Sequence, residues 1–106
     1  MTNQEQLEAF IGRTFRSVWA LEILRFLSDN DGRSFRGEDL ISTLHLSQAV
    51  VKRSIIDLMA AGLVTVDERG LIAFGTDHQS EFVNAAIDLY VRSPNKVRRV
   101  IVAQQM

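Results

Sequence analysis

Residues 47–66 read Ser-Gln-Ala-Val-Val-Lys-Arg-Ser-Ile-Ile-Asp-Leu-Met-Ala-Ala-Gly-Leu-Val-Thr-Val, and this stretch decides the fold. Ser47 is a helix cap, because its hydroxyl can accept from the free backbone N–H groups of a first turn. Val51, Ile55, Leu58 and Met59 follow at helical spacing and predict one buried stripe, with Lys52, Arg53 and Asp57 off it. Gly62 ends the helix, since glycine takes the left-handed conformation of a C-terminal cap without steric cost. Leu63, Val64 and Val66 then read as a short strand.

Working outward, His45-Leu46 is the turn before Ser47, with Leu46 its buried residue. Residues 37–44 predict a helix with Glu38 and Asp39 in its first turn and Leu40, Ile41 and Leu44 on its apolar face. Helix, turn and capped second helix form a helix-turn-helix unit. Residues 33–36 suit a short strand with Phe35 pointing inward, and Ser28-Asp29-Asn30-Asp31-Gly32 is a loop. The apolar density of residues 15–27, from Phe15 and Trp19 to Phe26 and Leu27, predicts a helix buried on two sides. One side faces the domain core and the other needs a second partner. A first helix covers 2–11, with Gly12 expected to loosen or break it. On the other side, Asp67-Glu68-Arg69-Gly70 joins the first strand to Leu71-Ile72-Ala73-Phe74 as a hairpin. Thr76 or Asp77 is expected to cap a helix over 81–91, and Ser93-Pro94 opens a last helix over 95–105.

Ser47, Val51, Lys52, Arg53, Ile55, Leu58, Gly62, Leu63 and Val64 together resemble the recognition helix and wing of winged helix-turn-helix proteins. This is the architecture of many small bacterial transcriptional regulators, such as the MarR and ArsR types. The resemblance covers residues 18–74. It implies an α+β, mainly α fold: a winged helix-turn-helix with a small β-hairpin wing and additional N- and C-terminal helices. The chain is then a single domain over 1–106, with its core at 15–75. It also implies sequence-specific binding of double-stranded DNA, with the recognition helix at 47–61 in the major groove and the wing at 63–75 beside it.

The residues that would make those contacts follow from their positions. Ser47, Gln48 and Ala49 lead the recognition helix, where Gln48 can bond adenine and Ala49 can touch a thymine methyl. Lys52 and Arg53 come one turn later, within reach of phosphates or of guanine. Arg69 at the wing tip suits the minor groove, although Asp67 and Glu68 beside it repel phosphates. Arg36 stands before the helix at 37, whose N-terminus can hold a phosphate; with Glu38 and Asp39 so close, it also reads as an ordinary exposed charge. Arg92, Lys96, Arg98 and Arg99 form the densest basic run, which most simply is the solvated face of an amphipathic helix.

Composition narrows the alternatives. Of the 106 residues 46% are hydrophobic and 24% charged, which fits a globular chain able to bury a core. There is no cysteine, so neither a disulfide framework nor a cysteine-based zinc site is possible, and a reducing cytoplasm is the expected location. The N-terminus does not read as a signal peptide, and no apolar run approaches the ~20 residues that span a bilayer. His45 and His78 show no metal-ligand spacing. With no phosphate-binding glycine loop and no nucleophile elbow, neither an enzyme nor a cofactor is expected.

The net charge of −1 requires any phosphate-binding surface to be local. Together with the acidic wing and Ile56 on the outer face of the recognition helix, it keeps open a second reading, a dimeric winged-helix adaptor that binds protein instead of DNA. Surplus apolar surface on residues 15–27, 81–91 and 97–101 predicts a homodimer joined through the terminal helices, 2–11 and 79–105, the alternative being that these helices pack on one another within the chain.

Overall fold

The computed structural model describes residues 4–104 except 76–79. The described chain is mainly helical, with one two-stranded antiparallel hairpin. In order come α1 (Gln4–Thr14), α2 (Val18–Asp29), α3 (Gly37–Leu44), α4 (Gln48–Ala60), β1 (Val64–Val66), β2 (Ile72–Phe74), α5 (Ser80–Arg92) and α6 (Pro94–Gln104). The expected cap at Thr76 or Asp77, and His78, lie outside the described residues.

Two N-terminal boundaries differ from the sequence expectation. α1 does not break at Gly12; it continues to Thr14. Leu7, Phe10 and Ile11 are all buried, and their packing outweighs the modest helix penalty of one glycine. Phe15 is not part of the next helix. Its N–H donates to the Ile11 carbonyl at 3.1 Å, and its ring meets Phe10 edge-on at 6.1 Å. The helix begins after Ser17, whose hydroxyl accepts from the Ala20 N–H at 3.4 Å.

α2 is the axis of the molecule. Ala20, Leu21, Ile23, Leu24 and Leu27 are fully withdrawn from solvent. α4 and β2 pack on it, and so do α5 and α6, which supply the second partner from within the chain. α1, α5 and α6 also pack on one another, with the Phe10 and Phe82 rings stacked at 5.2 Å and Val83, Ala86, Leu89, Val97 and Ile101 buried. Most of the apolar surface expected to join two chains is therefore covered inside one. Trp19, Val91 and Val102 remain exposed.

The middle of the chain follows its capping signals. The Asn30 side-chain amide donates to the Phe26 carbonyl at 2.8 Å and closes α2. The strand expected at 33–36 reduces to one bridge: Phe35 and Ile72 exchange two backbone hydrogen bonds at 2.8 and 2.7 Å. α3 starts where the Asp39 carboxylate accepts from the Arg36 N–H at 3.0 Å. His45 turns the chain in the left-handed region (φ 56°), a conformation a non-glycine residue rarely takes. At the end of α4 the Gly62 N–H donates to the Met59 carbonyl and the Leu63 N–H to the Leu58 carbonyl, both at 3.0 Å, with Gly62 at φ 75°. The hairpin pairs Val64 with Phe74, Thr65 with Ala73 and Val66 with Ile72. Among the described residues, no helix is long and apolar enough to cross a membrane.

One polar contact ties the halves together. The Tyr90 hydroxyl of α5 donates to the Glu22 carboxylate of α2 at 2.9 Å. Its pKa is pushed up to about 12, first by burial, then by the bond to Glu22 and by that carboxylate's charge. The folded chain therefore holds this proton where the unfolded chain, at 10.0, releases it. The stabilisation is complete below pH 10 and is lost as pH rises toward about 12. Denaturant unfolding across that window should show this loss, and the difference between wild type and Tyr90→Phe isolates it. At neutral pH the same substitution should cost about 1 kcal/mol.

Candidate nucleic-acid interface

Two clefts border α4. The larger, a groove of about 750 Å³, runs between α4, the start of α3 and the hairpin. Its floor is apolar: Val51, Ile55 and Ile72 are buried beneath it, and Ile41 and Val66 are half-buried. Along α4 the groove is lined by Gln48, Lys52, Ile56 and Met59, residues three or four apart and so on one face. Arg36 from the cap of α3 and Arg69 from the hairpin turn also line it, and so does the acidic Glu38 in the first turn of α3.

Four residues singled out from the sequence thus meet in one place. Arg36, Gln48, Lys52 and Arg69 come from three separate elements and line the same groove. Ser47 and Ala49 lie at the exposed leading end of α4. Ser47 also has a structural task, since its hydroxyl accepts from the Val50 N–H at 3.2 Å. Arg53 does not line the groove. Its guanidinium lies 4.0 Å from the carboxylate of Asp57, which lies equally far from Arg16. Asp57 belongs to the second cleft, about 320 Å³, between the α1–α2 corner and the end of α4.

The local charge balance is mixed. Arg36 lies 3.6 Å from Glu38, an exposed pair that contributes little energy. The Asp67 carboxylate turns back into the hairpin and accepts from the Arg69 and Leu71 N–H groups at 2.8 and 2.9 Å. These bonds shape the turn that carries Arg69, so the acidic neighbour of Arg69 has a structural role that its charge alone does not reveal. Gly70, at φ 80°, completes the turn.

One expectation fails within the site. Met59 is not on the buried stripe of α4; it is 46% exposed and lines the groove. The buried positions are Val51, Ser54, Ile55 and Leu58, which already fill the helix face toward the core. Residue 59 lies about 100° further round, and Ser54, small enough to be buried there, is the signal that marks the true stripe. Ile56, placed on the outer face by the sequence, is 53% exposed there.

The remaining candidates lie elsewhere. Arg92 pairs with Asp88 at 3.1 Å and Lys96 approaches Glu8 at 4.0 Å, while Arg98 and Arg99 are exposed on α6. Among the described residues, no group of three or more His, Asp or Glu side chains is placed to hold a metal ion. No protein-family model matches the chain, and no curated protein matches its sequence.

The two kinds of residue at this site separate experimentally. Ser47→Ala should cost about 1 kcal/mol through removal of the helix cap. Lys52→Ala and Arg69→Ala, both exposed, should leave stability within about 0.5 kcal/mol of wild type. Urea unfolding of the three variants measures the contrast.

Proposed function

We propose that this chain is a winged helix-turn-helix domain that binds double-stranded DNA and regulates transcription, with α4 as recognition helix and the hairpin as wing. Four polar and basic side chains from three elements, Arg36, Gln48, Lys52 and Arg69, line one groove beside a capped, exposed helix end, and that convergence supports the reading. A helix so presented can enter the major groove while flanking cations meet phosphates. The reading is of a binding protein, with no catalytic step and no cofactor, working in the cytoplasm.

In a binding assay across a salt series, wild type should lose affinity for duplex DNA as salt rises. The paired substitution Lys52→Ala and Arg69→Ala should weaken binding to all sequences and flatten the slope by ~0.9 for each phosphate no longer neutralised. Gln48→Ala should change preference among sequences instead. A wild-type protein without salt-dependent binding to any duplex in a genomic pool would remove the DNA reading.

That result would promote the second reading, a protein-binding adaptor. It is favoured by the exposure of Ile56 and Met59 beside an apolar floor and by the mixed charge around the groove. Either reading goes with a homodimer. Two recognition helices ~34 Å apart would read successive major-groove faces of a palindromic site. Trp19, Val91 and Val102 are the apolar side chains of α2, α5 and α6 left for pairing. Sedimentation at micromolar concentration should show a dimer that Trp19→Ser weakens and Lys52→Ala leaves intact; a wild-type monomer would exclude it.

A further inference from the structure

The face of α4 that carries the proposed contacts changes character beyond its polar start. Gln48 and Lys52 are succeeded on the same row by Ile56, 53% exposed, with Ala49 exposed at the leading turn. An isoleucine there does not assist phosphate binding. Its neighbour Arg53, the side chain on α4 best suited to read guanine, faces Asp57 and does not line the groove. Gln48 is the amide on that row suited to the paired donor and acceptor of adenine. What remains for the two apolar side chains in a major groove is the C5-methyl of thymine, the one apolar group that base edges present there.

We infer that Ile56, with Ala49, reads thymine methyl groups, so that α4 selects A·T base pairs and Ile56 is a specificity-determining residue. The inference rests on the DNA-binding reading of this groove and adds the class of base it recognises. Gln48 supplies the hydrogen-bonding half of the preference and the apolar pair supplies the other. Lys52 sits between them and can contribute charge to a phosphate or a guanine without altering the methyl contact.

The test uses the tightest duplex selected from genomic DNA fragments and the same duplex with thymine replaced by uracil, which removes only the methyl groups. Wild type should bind the uracil duplex about threefold to fivefold more weakly for each contacted methyl. In Ile56→Ser that difference should shrink toward equality, whereas Lys52→Ala should weaken both duplexes and keep their ratio. Far-ultraviolet circular dichroism and urea unfolding confirm that the exposed substitutions leave the fold intact. Equal wild-type affinity for the two duplexes, or a thymine preference that survives in Ile56→Ser, overturns the inference while leaving DNA binding standing. Absence of binding to any duplex overturns the DNA reading itself and the inference with it. In that case capture of a protein segment by the apolar floor, abolished in Met59→Glu, identifies the adaptor.

Discussion

Helix α2 carries apolar side chains around most of its circumference, and five of its residues have no contact with solvent. Such a helix has no stable place at a surface, so the rest of the chain is arranged as its cover. α4 and the hairpin close one flank; α5 and α6 close another, with α1 packed on them. The terminal helices are therefore part of the fold's own core, held by Phe10 against Phe82 and by the Tyr90–Glu22 hydrogen bond. The same arrangement leaves α4 with its inner face committed and its outer face free.

The middle of this fold is legible in the sequence because the signals there are local. Ser47 as cap, Gly62 as terminator and the polar turn at 67–70 each act through backbone atoms a few residues away, and helix and strand boundaries follow them closely. Sequence and structure part where tertiary contacts decide. Gly12 reads as a break until Phe10 and Ile11 are seen buried beside it, just before the chain turns at Phe15. The strand at 33–36 reads as a run of extended residues, yet only Phe35 finds a partner. The apolar surplus of residues 15–27 shows clearly in the sequence, whereas whether its cover comes from the same chain or from a second copy depends on distances that no periodicity encodes.

The site shows the same division. Lys52 and Gln48 follow from their offset to the Ser47 cap, since helical spacing fixes which face they share. That Arg36 and Arg69 would join them depends on how α3 and the hairpin pack against α4. Arg53 lies about 100° round the helix from Lys52, on the side of Asp57, which stands near Arg16 at the corner between α1 and α2. Met59 departs from its expected place because a four-residue apolar row looks sufficient for burial, when Ser54 already occupies the inner position.

The bridge between Phe35 and Ile72 has an effect out of proportion to its size. Phe35 sits in the connection between α2 and α3, its ring 5.0 Å from that of Phe26 on α2. Through two backbone hydrogen bonds it fastens β2 to the central helix, on the same hairpin whose turn carries Arg69. An aromatic pair that lines neither wall of the groove thus helps, beside the direct packing of the hairpin on α4 and α2, to hold the hairpin wall in place. A ligand entering such a groove finds it preorganised, and its association forfeits less conformational entropy than capture by a loosely hinged hairpin would.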